Sequence, residues 1–225
     1  MKIVESVDNH HFLKIKDDVC VIDLGYHEGS FEKCIKDTFN SYNYLGIEAN
    51  PIFRPLIKAK LLNFCVDVKS NEIISFYLDQ NNTMASSAVF SKNKSEVINV
   101  KTISLQDLYK VSNFDVIDIL KIDIEGSEFK ILTEENIKFL SKNTTQVSLE
   151  FDDWIDKEFI PNKLKIIKNF KNNNFYHIQF SFFDSSKNLF INKNLYSFGI
   201  DKILKMILFK YYRGTLRILK RFFKF

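Results

Sequence analysis

Short apolar runs that end at an acidic residue recur along the chain, and each predicts a buried strand. The run at 19–22 is apolar at every position, which is typical of a parallel strand covered on both faces. Apolar residues at helical spacing follow it. The same patterns predict further strands at 42–47, 63–66, 97–103, 116–124 and 145–149, and helices at 31–39, 51–62, 104–111, 128–140 and 164–170. Strands that alternate with helices indicate an α/β fold with a mostly parallel, doubly wound sheet.

Two pairs of strands depart from this alternation. Residues 73–78 and 84–90 flank a turn-like polar segment, so we expect a β-hairpin inserted between the third and fourth strands of the sheet. Residues 175–183 and 188–192 predict an antiparallel pair at the C-terminal edge.

Charge is concentrated at the C-terminus. Residues 202–225 hold eight Lys and Arg and no acidic residue, while the whole chain has a net charge of +4, so the rest is mildly acidic. An acidic body does not favour a general nucleic-acid surface. If the tail is helical, its basic residues fall on one side and its apolar residues on the other. This pattern predicts an amphipathic helix at a membrane surface. The alternative is a terminal helix that packs on the body and leaves its basic side in solvent.

Several classes of protein are disfavoured. No run approaches the roughly 18 apolar residues of a transmembrane helix, and the first residues lack the apolar core of a secretory signal. Cys20, Cys34 and Cys65 lie in apolar stretches and are odd in number, so we expect reduced thiols without a disulfide framework or a metal cluster. We therefore expect a cytoplasmic protein, with the tail as a means of peripheral attachment to the inner face of the membrane.

The turn after the first strand has glycine at both tight points, Gly25 and Gly29. A dinucleotide-binding turn needs the pattern G-x-G-x-x-G, which places a pyrophosphate on a helix N-terminus. Counted from Gly25, its second and third glycines would fall at His27 and Ser30, so that pattern is absent. S-Adenosylmethionine has no phosphate and tolerates a looser glycine pattern. A plain turn without any ligand is the alternative.

Acidic residues follow the later strands. Glu48 ends the second strand, where an acid can accept both hydroxyls of a ribose. Asp67 ends the third. Strand alternation sends Asp123 and Glu125 to the same side, with Lys121 in phase. The alternative to a ligand site at this position is a structural network between Lys121 and the carboxylates.

These segments occur in the order VIDLGYHEGSF, YLGIEANP, FCVDV, a Ser-Ser pair, VKTISLQDLY and ILKIDIEGSE. In this order they resemble the FkbM-type family of S-adenosylmethionine-dependent methyltransferases over about residues 18–152. The most specific part is KIDIEGSE with the upstream TISLQDL. The resemblance implies a Rossmann-like class I methyltransferase fold and methyl transfer to oxygen. It also implies an acceptor hydroxyl on a sugar, a glycan or a related small molecule.

The resemblance assigns roles to residues of the turn and of the strand ends. Asp23, Gly25 and Gly29 would shape the methionine pocket. Glu48 would hold the ribose, and Asp67 would lie near the adenine. The predicted cofactor-binding set also includes their neighbours Tyr26, Ala49 and Val68.

An acceptor hydroxyl must lose its proton as it attacks the methyl group, and the candidates for the base are Asp123, Glu125 and His27. A Mg²⁺ or Mn²⁺ ion on Asp123 together with Glu150 or Glu125 is the alternative, because a bound cation acidifies a hydroxyl. The pair at positions 10 and 11, both histidines, is expected at the surface or at a helix start.

We expect three segments: an N-terminal segment at 1–17, the methyltransferase domain at 18–200 and the basic amphipathic helix at 201–225. Two other functions stay open. An RNA methyltransferase is favoured by the basic tail but not by the acidic body. A non-catalytic binding module would keep the fold and use the cleft or the tail for association.

Overall fold

A seven-stranded mixed sheet lies at the centre of the computed structural model, which describes residues 4–78, 86–88, 96–180, 185–197, 199, 204–212 and 215. From one edge to the other its strands are β11 (Phe175–Gln179), β12 (Lys187–Asn192), β10 (Thr144–Glu150), β9 (Ile117–Ile122), β3 (Asp18–Leu24), β4 (Ser41–Ile47) and β5 (Lys60–Leu62). The strands from β10 to β5 are parallel, and β12 is antiparallel to β10 and β11. The mostly parallel sheet and its antiparallel C-terminal edge are confirmed, although positions 181–183 of the predicted edge pair lie outside the described residues.

Helices cover both faces of this sheet: α1 (Ser30–Thr38), α2 (Leu105–Ser112), α3 (Glu128–Ile131), α4 (Glu134–Asn143) and α5 (Phe159–Asn172). Successive residues of β3 point to opposite faces. Val21 packs in a cluster with Ile35 of α1, whereas Ile22 packs in the larger cluster with Leu108 of α2. Because both faces are covered, the strand is apolar at consecutive positions.

The helix expected at 128–140 is in fact two helices. Thr133 separates them, and its side chain accepts a hydrogen bond from the backbone N–H of Asn136. The Asn136 amide in turn donates to the carbonyl of Ile131 at 2.7 Å. A threonine that caps a new helix competes with continuation of the old one, so the chain turns at this point.

A second, three-stranded sheet lies beside the first. Its strands are β6 (Cys65–Val66), β8 (Glu96–Ile103) and β7 (Ile73–Leu78), in that order. β7 forms an antiparallel ladder with β8, a pairing that the expected hairpin between 73–78 and 84–90 did not include. Of 84–90 only 86–88 are described, and there a single bridge joins Tyr77 to Ser87. Because Tyr77 pairs with Val97 as well as with Ser87, β7 has β8 on one side and Ser87 on the other.

The helix expected at 51–62 is not formed, and the strand expected at 63–66 shrinks to β6 in the second sheet. The loop after β4 is irregular, and β5 takes the third position beside β4. Buried Glu32 of α1 explains the loop, because its carboxylate accepts the backbone N–H groups of Ile57 and Lys58. The Tyr26 hydroxyl accepts the N–H of Leu56 at 2.6 Å. These side chains satisfy donors that a helix would otherwise pair internally.

An N-terminal hairpin, β1 (Val4–Val7) and β2 (His10–Leu13), lies against the main sheet. The side-chain amide of Gln146 on β10 binds the hairpin through both of its polar atoms. Oε1 accepts from the Leu13 N–H at 2.8 Å, and Nε2 donates to the Leu13 carbonyl at 3.0 Å. The expectation that His10 and His11 lie at the surface or at a helix start was wrong, since both are buried in β2. The hairpin covers them by packing on the sheet beside β10.

The tail is described only in part. Residues 204–212 are helical, and Met206 packs in a buried cluster with Val4, Leu13 and Leu189. Leu208 of the same helix is exposed. Most of 213–225 lies outside the described residues, so attachment to a membrane stays a prediction. Within the described part of the chain, no helix combines the length and the hydrophobicity that crossing a membrane requires.

We expect Glu32→Ala to lower the free energy of unfolding by at least about 3 kcal/mol. The change leaves the buried Tyr26 hydroxyl and two partly buried backbone N–H groups without their acceptor, and each such loss costs about 1–3 kcal/mol. Urea denaturation measures the difference. The control is Glu28→Ala, an exposed acid of the preceding turn, which should stay within about 0.5 kcal/mol of the unchanged protein. Equal losses in the two variants would contradict this account of the loop.

Candidate active site

Two adjoining clefts open at the carboxyl ends of the parallel strands. They lie beside the neighbouring strands β3 and β9. From β3 the following strands extend toward one edge of the sheet, and from β9 they extend toward the other. Open α/β sheets bind ligands at such a switch point. We call one the apolar cleft, because its walls are mostly apolar: Ile47, Phe64, Val66, Phe76 and Ile124, with Glu48 among them. The other, the acidic cleft, is lined by Asp123, Glu125, Glu150 and Asp152 together with Lys121 and Trp154. The two clefts share Gly25, His27, Asp123 and Glu125.

The turn between β3 and α1 forms the wall that both clefts share. The N–H groups of Gly25 and Tyr26 donate to the carbonyl of Ile47 at 3.0 and 3.1 Å, which ties the turn to β4. Gly25 has a φ of +82°, and a Cβ here would overlap the backbone carbonyl of Asp123. The glycine is therefore required by the close approach of β3 to the end of β9. We had expected it to make room for a ligand.

Glu48 lies on the apolar cleft and is held by the backbone. Its Oε2 accepts the N–H of His27 at 2.9 Å, and its Oε1 accepts the N–H of Asn50 at 2.8 Å. Burial raises the pKa of the carboxyl, and the two N–H donors oppose that rise. Each oxygen keeps a further lone pair, so the carboxylate can still accept two hydrogen bonds from a ligand in the cleft.

A buried lysine joins the two halves of the site. Lys121 Nζ lies 2.9 Å from Asp23 Oδ1 and 3.6 Å from Asp123 Oδ2, and it donates to the Gly25 carbonyl at 2.6 Å. Burial alone would lower the pKa of Lys121, but the charges of Asp23 and Asp123 outweigh it and raise the pKa. The amine stays charged and holds the turn against the end of β9.

Asp123 is held from two sides. His10 Nε2 lies 3.0 Å from Asp123 Oδ2, and His10 Nδ1 lies 3.1 Å from the hydroxyl of Ser148. Burial would raise the pKa of Asp123, but Lys121 and His10 outweigh burial and hold it well below its usual range. Asp123 is therefore ionised at neutral pH and fixed in orientation.

The pKa values of the other carboxyl groups of the acidic cleft are shifted upward, in the opposite direction to that of Asp123. Burial and the nearby charges of Asp152 and Asp123 raise the pKa of Glu125 to about 9. Burial and the charge of Asp123 raise the pKa of Glu150 to about 7. Burial likewise raises the pKa of Asp152 and of Glu128, which lies behind the cleft. These carboxyl groups therefore keep their protons to higher pH than ordinary carboxyl groups do, whereas Asp123 is held ionised.

A family model described as the methyltransferase FkbM domain matches residues 23–178, more than half of the chain. The chain belongs to the FkbM methyltransferase family. The predicted family and its Rossmann-like fold are confirmed, and enzymes of such families in general take the methyl group from S-adenosylmethionine. A search of curated proteins finds no match.

In this FkbM methyltransferase the structure brings part of the predicted cofactor set to the apolar cleft: Gly25, Glu48 and Ala49. His27, one of the predicted bases, lines both clefts, and burial lowers the pKa of its imidazole, which favours the neutral ring. The predicted Asp123 and Glu125 also lie on both clefts.

Other members of the predicted set lie away from the apolar cleft. Asp23 is buried beneath the turn, where its Oδ2 accepts from the Tyr44 hydroxyl at 2.5 Å. Tyr26 borders the acidic cleft, and Gly29 precedes α1, where a Cβ would overlap the Tyr26 ring and hydroxyl. Asp67 pairs with Lys130 Nζ at 2.6 Å, and Val68 is exposed.

Three residues of the site were missed. His10 comes from the hairpin before the matched residues, and no local pattern marks it. Asp152 follows β10 by two residues, so the rule that strand ends carry the site would have found it beside Glu150. Trp154 is the only tryptophan of the chain, and it is 60% exposed on the acidic cleft.

We expect Lys121→Met to lower the free energy of unfolding by about 3–5 kcal/mol, because it leaves the buried carboxylate of Asp23 without its cation. Urea denaturation gives the value. Lys110→Met is the matched control: it removes an exposed lysine whose partner, Asp107, is also at the surface, and it should change stability only slightly. A loss below about 1 kcal/mol for Lys121→Met would show that the network does not hold the site together.

Proposed function

We propose that this methyltransferase transfers the methyl group of S-adenosylmethionine to a hydroxyl of a carbohydrate-type acceptor. The observation that carries the proposal is the meeting of the two clefts at Gly25, His27, Asp123 and Glu125. A methyl donor in one cleft and an acceptor in the other would have their reacting atoms at this junction. Alignment of this kind can supply much of the lowering of a reaction barrier.

The apolar cleft has the chemistry that the donor needs. The Glu48 carboxylate, only 8% exposed and fixed by two N–H donors, can accept the hydroxyls of a ribose. Phe64, Val66 and Phe76 offer apolar walls to a flat base. Ala49 adds only a methyl group to the lining of this cleft. The residues present therefore fit S-adenosylmethionine.

The acidic cleft has the chemistry of a sugar-binding surface. Its carboxylates are hydrogen-bond acceptors for hydroxyl groups. Trp154 offers an exposed aromatic face at the rim, and its Nε1 donates to Asp152 Oδ1 at 3.1 Å, which fixes the ring. An aromatic face covers the C–H side of a sugar ring, while carboxylates bind its hydroxyls. Together they favour a polar, uncharged acceptor rich in hydroxyl groups.

When bound, S-adenosylmethionine supplies a methyl group on a sulfonium, and the electron pair of the broken carbon–sulfur bond stays on sulfur. The chain must then orient the acceptor oxygen and take its proton. The carboxylates at the junction, Asp123 and Glu125, and the neighbouring Glu150 lie where a hydroxyl would be placed. Asp123 is held for this task by Lys121 and His10.

The two other functions are less well supported. A cleft lined by Asp123, Glu125, Glu150 and Asp152 would repel the phosphates of RNA. A purely structural binding module has no need for a buried, N–H-fixed Glu48 beside a cluster of carboxylates.

The direct test incubates the full chain with S-adenosylmethionine labelled in its methyl group and, in separate reactions, with saccharides, phenols and RNA. We expect label on saccharides and none on RNA. Product released by mild base would reveal a methyl ester, whereas an ether resists it. Label only on RNA or on amines would contradict the proposal.

We expect Glu48→Ala to weaken binding of S-adenosylmethionine by about tenfold or more, since hydrogen bonds to a charged group contribute about 1.5–3 kcal/mol. Calorimetry measures the dissociation constant. The control is Glu72→Ala, a surface acid paired with Lys69. Because Glu48 also holds the N–H groups of His27 and Asn50, a melting curve accompanies each titration. An unchanged dissociation constant would remove Glu48 from the donor site.

We expect Trp154→Ala to raise the KM for the saccharide acceptor by about tenfold, with the dissociation constant of S-adenosylmethionine unchanged, because only the acceptor would contact the ring. Trp154→Phe keeps an aromatic face and should recover most of the loss. Steady-state kinetics with each substrate varied separates the two effects. If both substrates weaken equally, the ring has a structural role.

A further inference from the structure

Three carboxylates meet at the junction of the two clefts: Asp123, Glu125 and Asp152. One oxygen from each lies within 4.8 Å of the other two. Like charges at this spacing repel one another strongly when partly buried. The nearest ammonium group, Lys121, is shared with Asp23 and the Gly25 carbonyl, and it lies 3.6 Å from Asp123. One lysine cannot neutralise three carboxylates as well as Asp23.

Asp152 separates this group from an ordinary acidic cluster. Its side chain is 5% exposed. Oδ1 accepts from Trp154, but Oδ2 is buried and has no hydrogen-bond partner among the described residues. A buried carboxylate oxygen without a partner is costly, so such an oxygen in a polar cleft points to a ligand that is positively charged.

We propose that Asp123, Glu125 and Asp152 bind one divalent cation of the hard, oxygen-preferring class, Mg²⁺ or Mn²⁺. Oxygens about 2.1 Å from such an ion and at right angles to one another are about 3 Å apart, which the observed spacing allows. Carboxylate ligands alone favour these ions over softer metals.

The surroundings hold the three ligands in place. Behind the cleft, Glu128 accepts the N–H of Asp152 through Oε1 and the N–H of Gly126 through Oε2, both at 2.9 Å. This fixes the segments that carry Glu125 and Asp152. On the other side, His10 orients Asp123 from 3.0 Å. Outer groups of this kind orient the ligands of metal sites.

The role of the ion rests on the proposed function. At the junction, it would take the acceptor hydroxyl as a further ligand and lower the pKa of that hydroxyl. The hydroxyl proton passes to Glu150, the carboxylate of the acidic cleft nearest to His10 and Asp123 that is not itself one of the three ligands. The oxygen then forms its bond to the methyl carbon, and sulfur keeps the electron pair of the bond that breaks.

Electron paramagnetic resonance of Mn²⁺, titrated into the full chain without S-adenosylmethionine, tests the site directly. We expect one Mn²⁺ bound per chain, and binding weakened roughly tenfold or more by Asp152→Asn and by Glu125→Gln. The matched control is Asp8→Asn. Asp8 is an exposed acid at the edge of the acidic cleft and accepts a hydrogen bond from Ser30, so this change should leave the Mn²⁺ affinity unchanged. Melting curves show that each variant is folded.

No Mn²⁺ binding by the unchanged protein, or equal affinity in the folded Asp152→Asn and Glu125→Gln variants, would overturn the site. Methyl transfer that continues in EDTA would overturn its role and leave the proposed function standing. Conversely, specific Mn²⁺ binding without methyl transfer to any saccharide would leave the cation site standing and count against the proposed function.

Discussion

The ammonium group of Lys121 is the interaction on which the site depends. It is buried, and it contacts the three pieces of chain that must meet there: Asp23 at the end of β3, the carbonyl of Gly25 in the following turn, and Asp123 after β9. Removing a buried charge of this kind lowers the stability of a protein strongly, because its partners stay desolvated without a counter-charge. The same charge draws the glycine turn so close to the backbone of Asp123 that no side chain fits at Gly25. The glycine turn, which both clefts share, and the Asp123 carboxylate are therefore positioned by one ammonium group.

The division of charge between the clefts follows from this arrangement. Asp23 and Asp123 are compensated by Lys121 and, for Asp123, by His10. The remaining acids of the cleft have no comparable partner, and burial raises the pKa of Glu125 and of Glu150. Apart from Asp123 and Glu125, which both clefts share, the acid of the apolar cleft is Glu48, whose carboxylate is bound by two backbone N–H groups. One cleft is mostly apolar and the other is lined by carboxyl groups, and the turn that carries Gly25 and His27 is their shared wall.

Much of the fold could be predicted because the information is local. Continuous apolar runs identify β3, β9 and β10, and the acids after them locate the carboxyl ends where the clefts open. The failures have a common cause, which is the action of distant side chains. The loop after β4 is shaped by Glu32 of α1, and β8 adds a six-residue ladder to β7 from beyond the expected hairpin. His10 becomes a site residue only through packing on β10.

The position of the N-terminal hairpin has a consequence for the order of folding. The side chains that receive β2, Gln146 and Ser148, are more than 130 residues further along the chain. Contacts so distant in sequence cannot form until β10 has joined the sheet, and long loops of this kind slow folding. We therefore expect His10 to reach Asp123 late, after the central strands have assembled, so that the site gains its final geometry in one of the last docking steps.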